Sequence, residues 1–170
     1  KRHDVRTVVL DPVMVAQSGD KLVQDEAIDA LKLELIPLAT LITHNLPEAS
    51  VLLNRAIDTH DAVRSAAVEL FSYGCGNVLI KGGHLESGDS DDCLYLGTEG
   101  RIVILRGPRI ATRNNHGTGC TLSSAIAAGL AKGQDVETAV RQAKEYISGA
   151  ILAGADYVLG QGHGPVHHFF

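Results

Sequence analysis

The turn His116-Gly-Thr-Gly119 with Cys120 after it is the stretch whose residue types point most directly to chemistry. Gly117 and Gly119 let the backbone take positive φ and approach a ligand without a Cβ in the way. A helix that starts at this turn offers unpaired N–H groups and the positive end of its dipole. Gly117, Thr118, Gly119 and Cys120 can therefore form an anion hole, for a phosphate or for charge that develops in phosphoryl transfer. The same glycines also suit a tight strand-to-helix turn with no ligand, and spacing alone does not separate the two. Cys120 falls in the first helical turn, where the dipole favours the thiolate, so it is a candidate general base towards a substrate hydroxyl. A small buried hydrophobe is the competing role of a lone cysteine. For Cys75 and Cys93 burial is the better reading. A hydrolase pairing of Cys120 with His116 is disfavoured, because side chains four apart across a glycine turn rarely face each other.

Two acids and a lysine belong to the same set. Asp11 follows a β-branched run, and Glu48 stands three residues after Asn45. The Asn45–Glu48 spacing fits a helix capping box. Asp11 and Glu48 also supply hard oxygen ligands for a Mg²⁺ ion that keeps most of its waters. Lys81 precedes Gly82-Gly83 and can place an ammonium near a nucleotide phosphate, or stand as a solvated lysine before a turn. The chain has eight histidines. His163, His167 and His168 cluster near one end without carboxylates or cysteines at ligand spacing, so a histidine metal site is not expected.

These residues need a frame that brings them together. Residues 5–10 predict a buried strand running into Asp11, and 39–43 and 77–81 predict two more. Helical spacing marks 20–35, with Pro37 as a stop, then 45–53, with Pro47 in the first turn, and 61–73, with Gly74 as its C′ residue. Residues 92–97 and 101–105 flank a Gly-Thr-Glu-Gly turn and predict an antiparallel hairpin at a sheet edge. Helices over 120–131 and from 136 to 151 follow, the latter with eight apolar residues on one face. Alternating strands and helices imply a mostly parallel α/β sheet whose ligand site lies beyond the carboxyl ends of the strands. Asp11, Glu48 and the glycine turn then converge on one edge.

Composition narrows the class. The 170 residues suit one domain, and 45% hydrophobic with 21% charged residues is globular composition. Eighteen glycines, 4% aromatic residues and no tryptophan point to a core of aliphatic and alanine side chains. The net charge of −5 builds no positive field for nucleic acid. No apolar run approaches the ~18 residues of a membrane helix, and the first residues lack the apolar core of a signal peptide. Three widely spaced cysteines fit neither a disulfide framework nor a zinc ribbon. A cytoplasmic protein without nucleic-acid or membrane partners is expected.

Five stretches carry a resemblance: Asp11-Pro-Val-Met-Val-Ala-Gln-Ser-Gly19, Thr43-His-Asn-Leu-Pro-Glu48, Val78-Leu-Ile-Lys-Gly-Gly-His84, His116-Gly-Thr-Gly-Cys-Thr-Leu-Ser-Ser124 and Gly162-His-Gly-Pro-Val-His-His168. In this order they resemble the hydroxymethylpyrimidine/phosphomethylpyrimidine kinases of thiamine biosynthesis, which are ribokinase-like enzymes. The resemblance covers the whole chain. It implies one ribokinase-like α/β domain over 1–170, a mostly parallel sheet flanked by helices. It further implies ATP and Mg²⁺ as cofactors, and phosphoryl transfer to 4-amino-5-hydroxymethyl-2-methylpyrimidine and then to its monophosphate.

By the same resemblance, Gly117 to Cys120 form the anion hole and Cys120 takes the base position. Most ribokinase-like relatives carry aspartate there, so cysteine points to the pyrimidine-kinase branch. Asp11 and Glu48 would surround Mg²⁺ through water, Lys81 and Thr112 would lie near the nucleotide, and Val13 and Met14 near the pyrimidine. Two departures stand out. Full-length relatives begin with βα units that carry a glycine-rich substrate loop and a pyrimidine-binding glutamate, and this chain starts after them. Asn115 also stands where threonine is expected. Without those units the uncharged run 7–10 is an open strand edge, and association as a homo-oligomer, a dimer, is expected. Pyridoxal kinase of the same fold is the alternative activity. A non-catalytic, ribokinase-like nucleotide-binding module is the alternative class.

Overall fold

The computed structural model describes residues 5–14, 22–83 and 89–170. Expectations placed on residues 1–4, on 15–21 and on His84 lie outside them. Among the described residues five strands stand side by side in sequence order: β1 (Val9–Leu10), β2 (Leu41–Asn45), β3 (Asn77–Lys81), β4 (Asp92–Leu96) and β5 (Arg101–Leu105). β1, β2 and β3 pair in parallel, while β3–β4 and β4–β5 pair antiparallel. The sheet is thus mixed, and its parallel half is the part that gathers strand ends.

Alternation along the strands sorts the core into two layers. Ile42, Val78, Ile80 and Cys93 face α1 (Asp25–Ala30), α2 (Leu46–Leu53) and α3 (His60–Phe71). Leu41, Leu79, Leu94 and Val103 face α4 (Thr118–Ala131) and α5 (Val136–Ala153). Alanines at the contacts, among them Ala66 and Ala67 in α3 and Ala139, Ala143 and Ala150 in α5, are buried and let helices lie close to the sheet. The helix starts are capped as their sequences dictate. Asn45 closes a reciprocal capping box with Glu48, Thr59 accepts from the Ala62 N–H, and Asp135 accepts from the Thr138 N–H. Gly74, with φ +97°, ends the turn after α3 as expected.

Several boundaries differ from the sequence expectation: α1 starts at Asp25 rather than residue 20, and β2 covers Leu41–Asn45 rather than 39–43. Residues 5–8 stay outside the ladder, because the Val8 N–H is taken by the Thr40 hydroxyl at 3.0 Å. β1 is therefore a two-residue edge strand. Pro37 does not stop the chain's coiling: α1 widens into a π-helical turn over Leu31–Leu35, and Pro37 sits in the first turn of a 3₁₀ segment, Ile36–Leu38. A missing N–H is harmless there. α4 starts at Thr118 rather than Cys120, because Gly117 at φ +84° serves as its N-cap. Among the described residues no helix is long and apolar enough to cross a membrane.

Candidate active site

Parallel pairing puts the carboxyl ends of β1, β2 and β3 on one edge. Asp11 follows β1, and Lys81 ends β3 in register with Asn45 of β2. The Lys81 Nζ lies 3.1 Å from the Asp11 Oδ1, with side-chain exposures of 16% and 13%. Shielding of that degree strengthens the attraction between the two charges and also costs them hydration. The Ser123 hydroxyl of α4 lies 3.2 Å from the Asp11 Oδ2 and 3.1 Å from the Cys120 carbonyl oxygen. Asp11 thereby joins the sheet edge to the first turns of α4. A Cβ on Gly119 would sit 3.4 Å from the Lys81 Nζ and 3.7 Å from the Asp11 Oδ2. The glycine turn and the ion pair are in contact range.

The turn itself is left open. Gly117 caps α4 with backbone alone, and no side chain accepts from the first turn. The Thr121 N–H reaches the Gly117 carbonyl at 2.9 Å and the Thr118 hydroxyl binds the Asn115 carbonyl at 2.6 Å. The N–H groups of Gly119 and Cys120 have no acceptor among the described residues. Cys120 is exposed, whereas Cys75 and Cys93 are buried and burial pushes both thiols up to about 11. A groove of about 740 Å³ starts at Cys120 and runs between α4 and α5 past Ser124, Ala128, Gln142 and Tyr146. That is a volume typical of small-ligand clefts.

Glu48 is buried, and both its oxygens are engaged: Oε2 accepts from the Asn45 N–H at 2.9 Å and Oε1 from the Met14 N–H at 3.4 Å. Burial raises its pKa, and the nearby Asp11 charge adds to that, against Lys81 and the two N–H donors. Glu48 is thus engaged as a helix cap, and the charge of Asp11 acts on it. Met14 is enclosed in the core under α1–α3 while Val13 is exposed. The Thr112 hydroxyl donates to the Ala155 carbonyl at 2.9 Å and accepts from the Asn114 N–H at 3.0 Å, so it is an anchor of the loop before the turn.

Three contributors escaped the sequence reading. Ser123 is one of several serines and threonines in α4, with nothing local to single it out. Asn114 is buried, and its amide donates to the carbonyls of Gly154, Ala155 and Tyr157. It ties the loop leading to the anion turn onto the end of α5, and Gly164 packs so tightly on its Oδ1 that no Cβ fits there. His44 points into the α1–α3 layer, fully buried with neither ring nitrogen hydrogen-bonded among the described residues. Burial and then the Lys81 charge lower its pKa to about 3, against an opposing Asp11 contribution. A buried side chain inside a strand leaves no spacing signal.

This geometry, an open helix N-terminus beside a lysine–aspartate pair at a parallel sheet edge, can be set against known proteins. A match to the phosphomethylpyrimidine kinase family covers residues 1–167. The chain belongs to that family. It is 48% identical over 165 residues to a hydroxymethylpyrimidine/phosphomethylpyrimidine kinase of Rhizobium meliloti, covering 96% of this chain and 61% of that protein. The chain thus spans about three-fifths of the relative's length. Among solved structures it is similar to Bacillus subtilis pyridoxal kinase in its ADP complex, with TM-score 0.88, 38% identity, and 98% and 62% of the two chains covered. The phosphomethylpyrimidine kinase of Clostridium difficile 630 matches with TM-score 0.74 and 36% identity, over 88% of this chain and 59% of that one. The family fold is ribokinase-like, as the motif order implied.

Proposed function

We propose that the chain carries the phosphate-handling part of an ATP-dependent kinase that phosphorylates 4-amino-5-hydroxymethyl-2-methylpyrimidine and then its monophosphate, on the way to thiamine diphosphate. The observation that carries this reading is the pair of N–H groups at Gly119 and Cys120, without an acceptor among the described residues, set against the Lys81–Asp11 pair. Those N–H groups stabilise negative charge on a transferring phosphoryl group, and Lys81 adds an ammonium from the sheet side. Cys120 takes the proton of the acceptor hydroxyl as the new O–P bond forms and the bond to ADP breaks. Gly117 and Thr118 shape the turn that presents these groups, and Thr112 holds the loop leading into it. Val13, exposed beside the sheet edge, and Met14 beneath it belong to the wall assigned to the pyrimidine.

Asp11 and Glu48 fit a hydrated Mg²⁺. Both are hard oxygen donors at one edge, and both already accept hydrogen bonds from protein groups, which favours contact through the ion's waters over direct ligation. Mg²⁺ bound there supplies charge neutralisation for the nucleotide phosphates. Among the described residues, no three His, Cys, Asp or Glu side chains group as a protein-only metal cage.

A second reading, pyridoxal kinase, is favoured by the likeness to the Bacillus subtilis enzyme. The test is transfer of labelled phosphate from ATP by the protein carrying this chain, with hydroxymethylpyrimidine and with pyridoxal as competing acceptors. Preference for the pyrimidine supports the leading reading, and preference for pyridoxal replaces it. ATP binding without transfer to either would reduce the chain to a binding module. The reading extends to a cytoplasmic homodimer, for which the exposed Leu33, Leu35 and Leu38 supply apolar surface. Sedimentation at micromolar concentration checks it, and a monomer would remove it.

A further inference from the structure

Away from the glycine turn, one shielded ion pair joins α5 to the sheet. The Lys144 Nζ lies 2.7 Å from the Asp92 Oδ2, with side-chain exposures of 12% and 6%. Lys144 also donates to the Ser90 carbonyl, and Gly107 packs against its stem so closely that a Cβ there would lie 2.9 Å from Cε. The other carboxylate oxygen, Asp92 Oδ1, accepts from the Gly82 N–H at 2.9 Å in a buried hydrogen bond. Gly82 is the residue after Lys81. A Cβ on it would fall 1.7 Å from the Asp91 carbonyl oxygen, so the peptide is pressed onto the backbone just before β4 and held there by Asp92.

Stability alone is a weak account of this pair. Replacing a buried ion pair by apolar groups of the same shape is often neutral or stabilising. What this pair does, and an apolar pair would not, is present a fixed acceptor to the peptide beside Lys81. The Asp92 carboxyl, pushed up by burial, is pulled back by Lys144 first and then by the Gly82 N–H and Lys81.

We propose that Asp92, held by Lys144, is a positioning residue for Lys81: it fixes the Lys81–Gly82 peptide so that the ammonium stays between Asp11 and the Gly119 turn. The proposal rests on the reading of Lys81 as a phosphate contact. It differs from a plain structural tie between α5 and β4, because it predicts coupling to Lys81.

A double-mutant cycle read by calorimetric titration with ATP and Mg²⁺ tests it in the protein carrying this chain. Asp92→Leu, which leaves the Gly82 N–H without its acceptor, is expected to weaken ATP binding about tenfold when Lys81 is present and less than about twofold in a Lys81→Met background. Equal weakening in both backgrounds, or none, would overturn the proposal. If Asp92→Leu does not fold because Lys144 is left unpaired, Asp92→Leu with Lys144→Met removes both charges at similar volume, and the same comparison applies. The Lys81 side-chain ¹³Cε resonance gives a readout independent of nucleotide. It should shift in the Asp92 variant, and an unmoved resonance would count against positioning. Should the unaltered protein bind no ATP, the kinase reading fails while the Lys81 resonance still decides the positioning role.

Discussion

At the carboxyl ends of β1, β2 and β3, Asp11, Lys81 and Glu48 all have partners within the protein, whereas at the N-terminus of α4 the N–H groups of Gly119 and Cys120 have none among the described residues. The first wall is mostly buried and keeps its shape through its own hydrogen bonds. The second is held from behind, by Asn114, by Thr112 and by the bond from the His116 N–H to the Gly164 carbonyl, and shows its donors and an exposed thiol to solvent. A ligand therefore adds most at the open wall. An anion at the open wall gains hydrogen bonds that the protein itself does not supply, while at the paired wall it must compete with contacts already made.

The largest effect should come from the open wall. Cys120→Ser is expected to lower kcat by ~10²–10⁴-fold while leaving the melting temperature and ATP affinity near those of the unaltered protein. Cys120→Asp should keep part of the activity, since a carboxylate suits a helix N-terminus. Turnover and melting curves of both variants check this. If the thiol only packs, serine will be mild and aspartate destabilising.

The support behind that wall comes next. Asn114→Asp removes two N–H donors and sets a carboxylate against the carbonyls that the amide now serves, at a cost of roughly 2–5 kcal/mol in denaturant unfolding. An unfolding midpoint that stays put would show that the loop before the turn is not clamped there.

On the paired side the effects are smaller and depend on pH. His44 is held neutral with its pKa lowered to about 3, so below its ordinary value of 6.5 the unfolded chain binds a proton that the native state does not. Stability should therefore fall as pH drops from about 6.5, by about 2 kcal/mol at pH 5. His44→Leu should flatten that limb, and an unchanged limb between pH 6.5 and 5 would assign it to other groups. Glu48 is shifted the opposite way. Burial raises its carboxyl, so above the ordinary value of 4.5 the native state retains protons that the unfolded chain has lost, and stability declines as pH rises through the native value. Glu48→Gln keeps a capping acceptor and should reduce that decline, the smallest of these effects.

How much of this could be read in the residues follows the same division. The open wall was legible, because glycines before a helix and a cysteine in its first turn have meanings that depend only on local sequence. Asn45 and Glu48 were legible for the same reason, and the hairpin over 92–97 and 101–105 appears nearly as spaced, as β4 and β5. What closes the paired wall was not. The contacts of Lys81 with Asp11, of Ser123 with Asp11 and of Lys144 with Asp92 span 70, 112 and 52 residues, and no local pattern announces them. The shortening of β1 likewise depended on one distant hydroxyl, that of Thr40, taking the Val8 N–H.

The most direct measurement of the central claim, that the α4 turn receives the nucleotide phosphates, is alkylation of the cysteines by iodoacetamide with and without ATP and Mg²⁺. Cys120 is exposed, while Cys75 and Cys93 are buried with thiols pushed up to about 11. Cys120 should therefore react first, and saturating ATP should slow it by about tenfold or more as phosphates fill the turn. An alkylation rate at Cys120 that saturating ATP leaves unchanged would contradict the account.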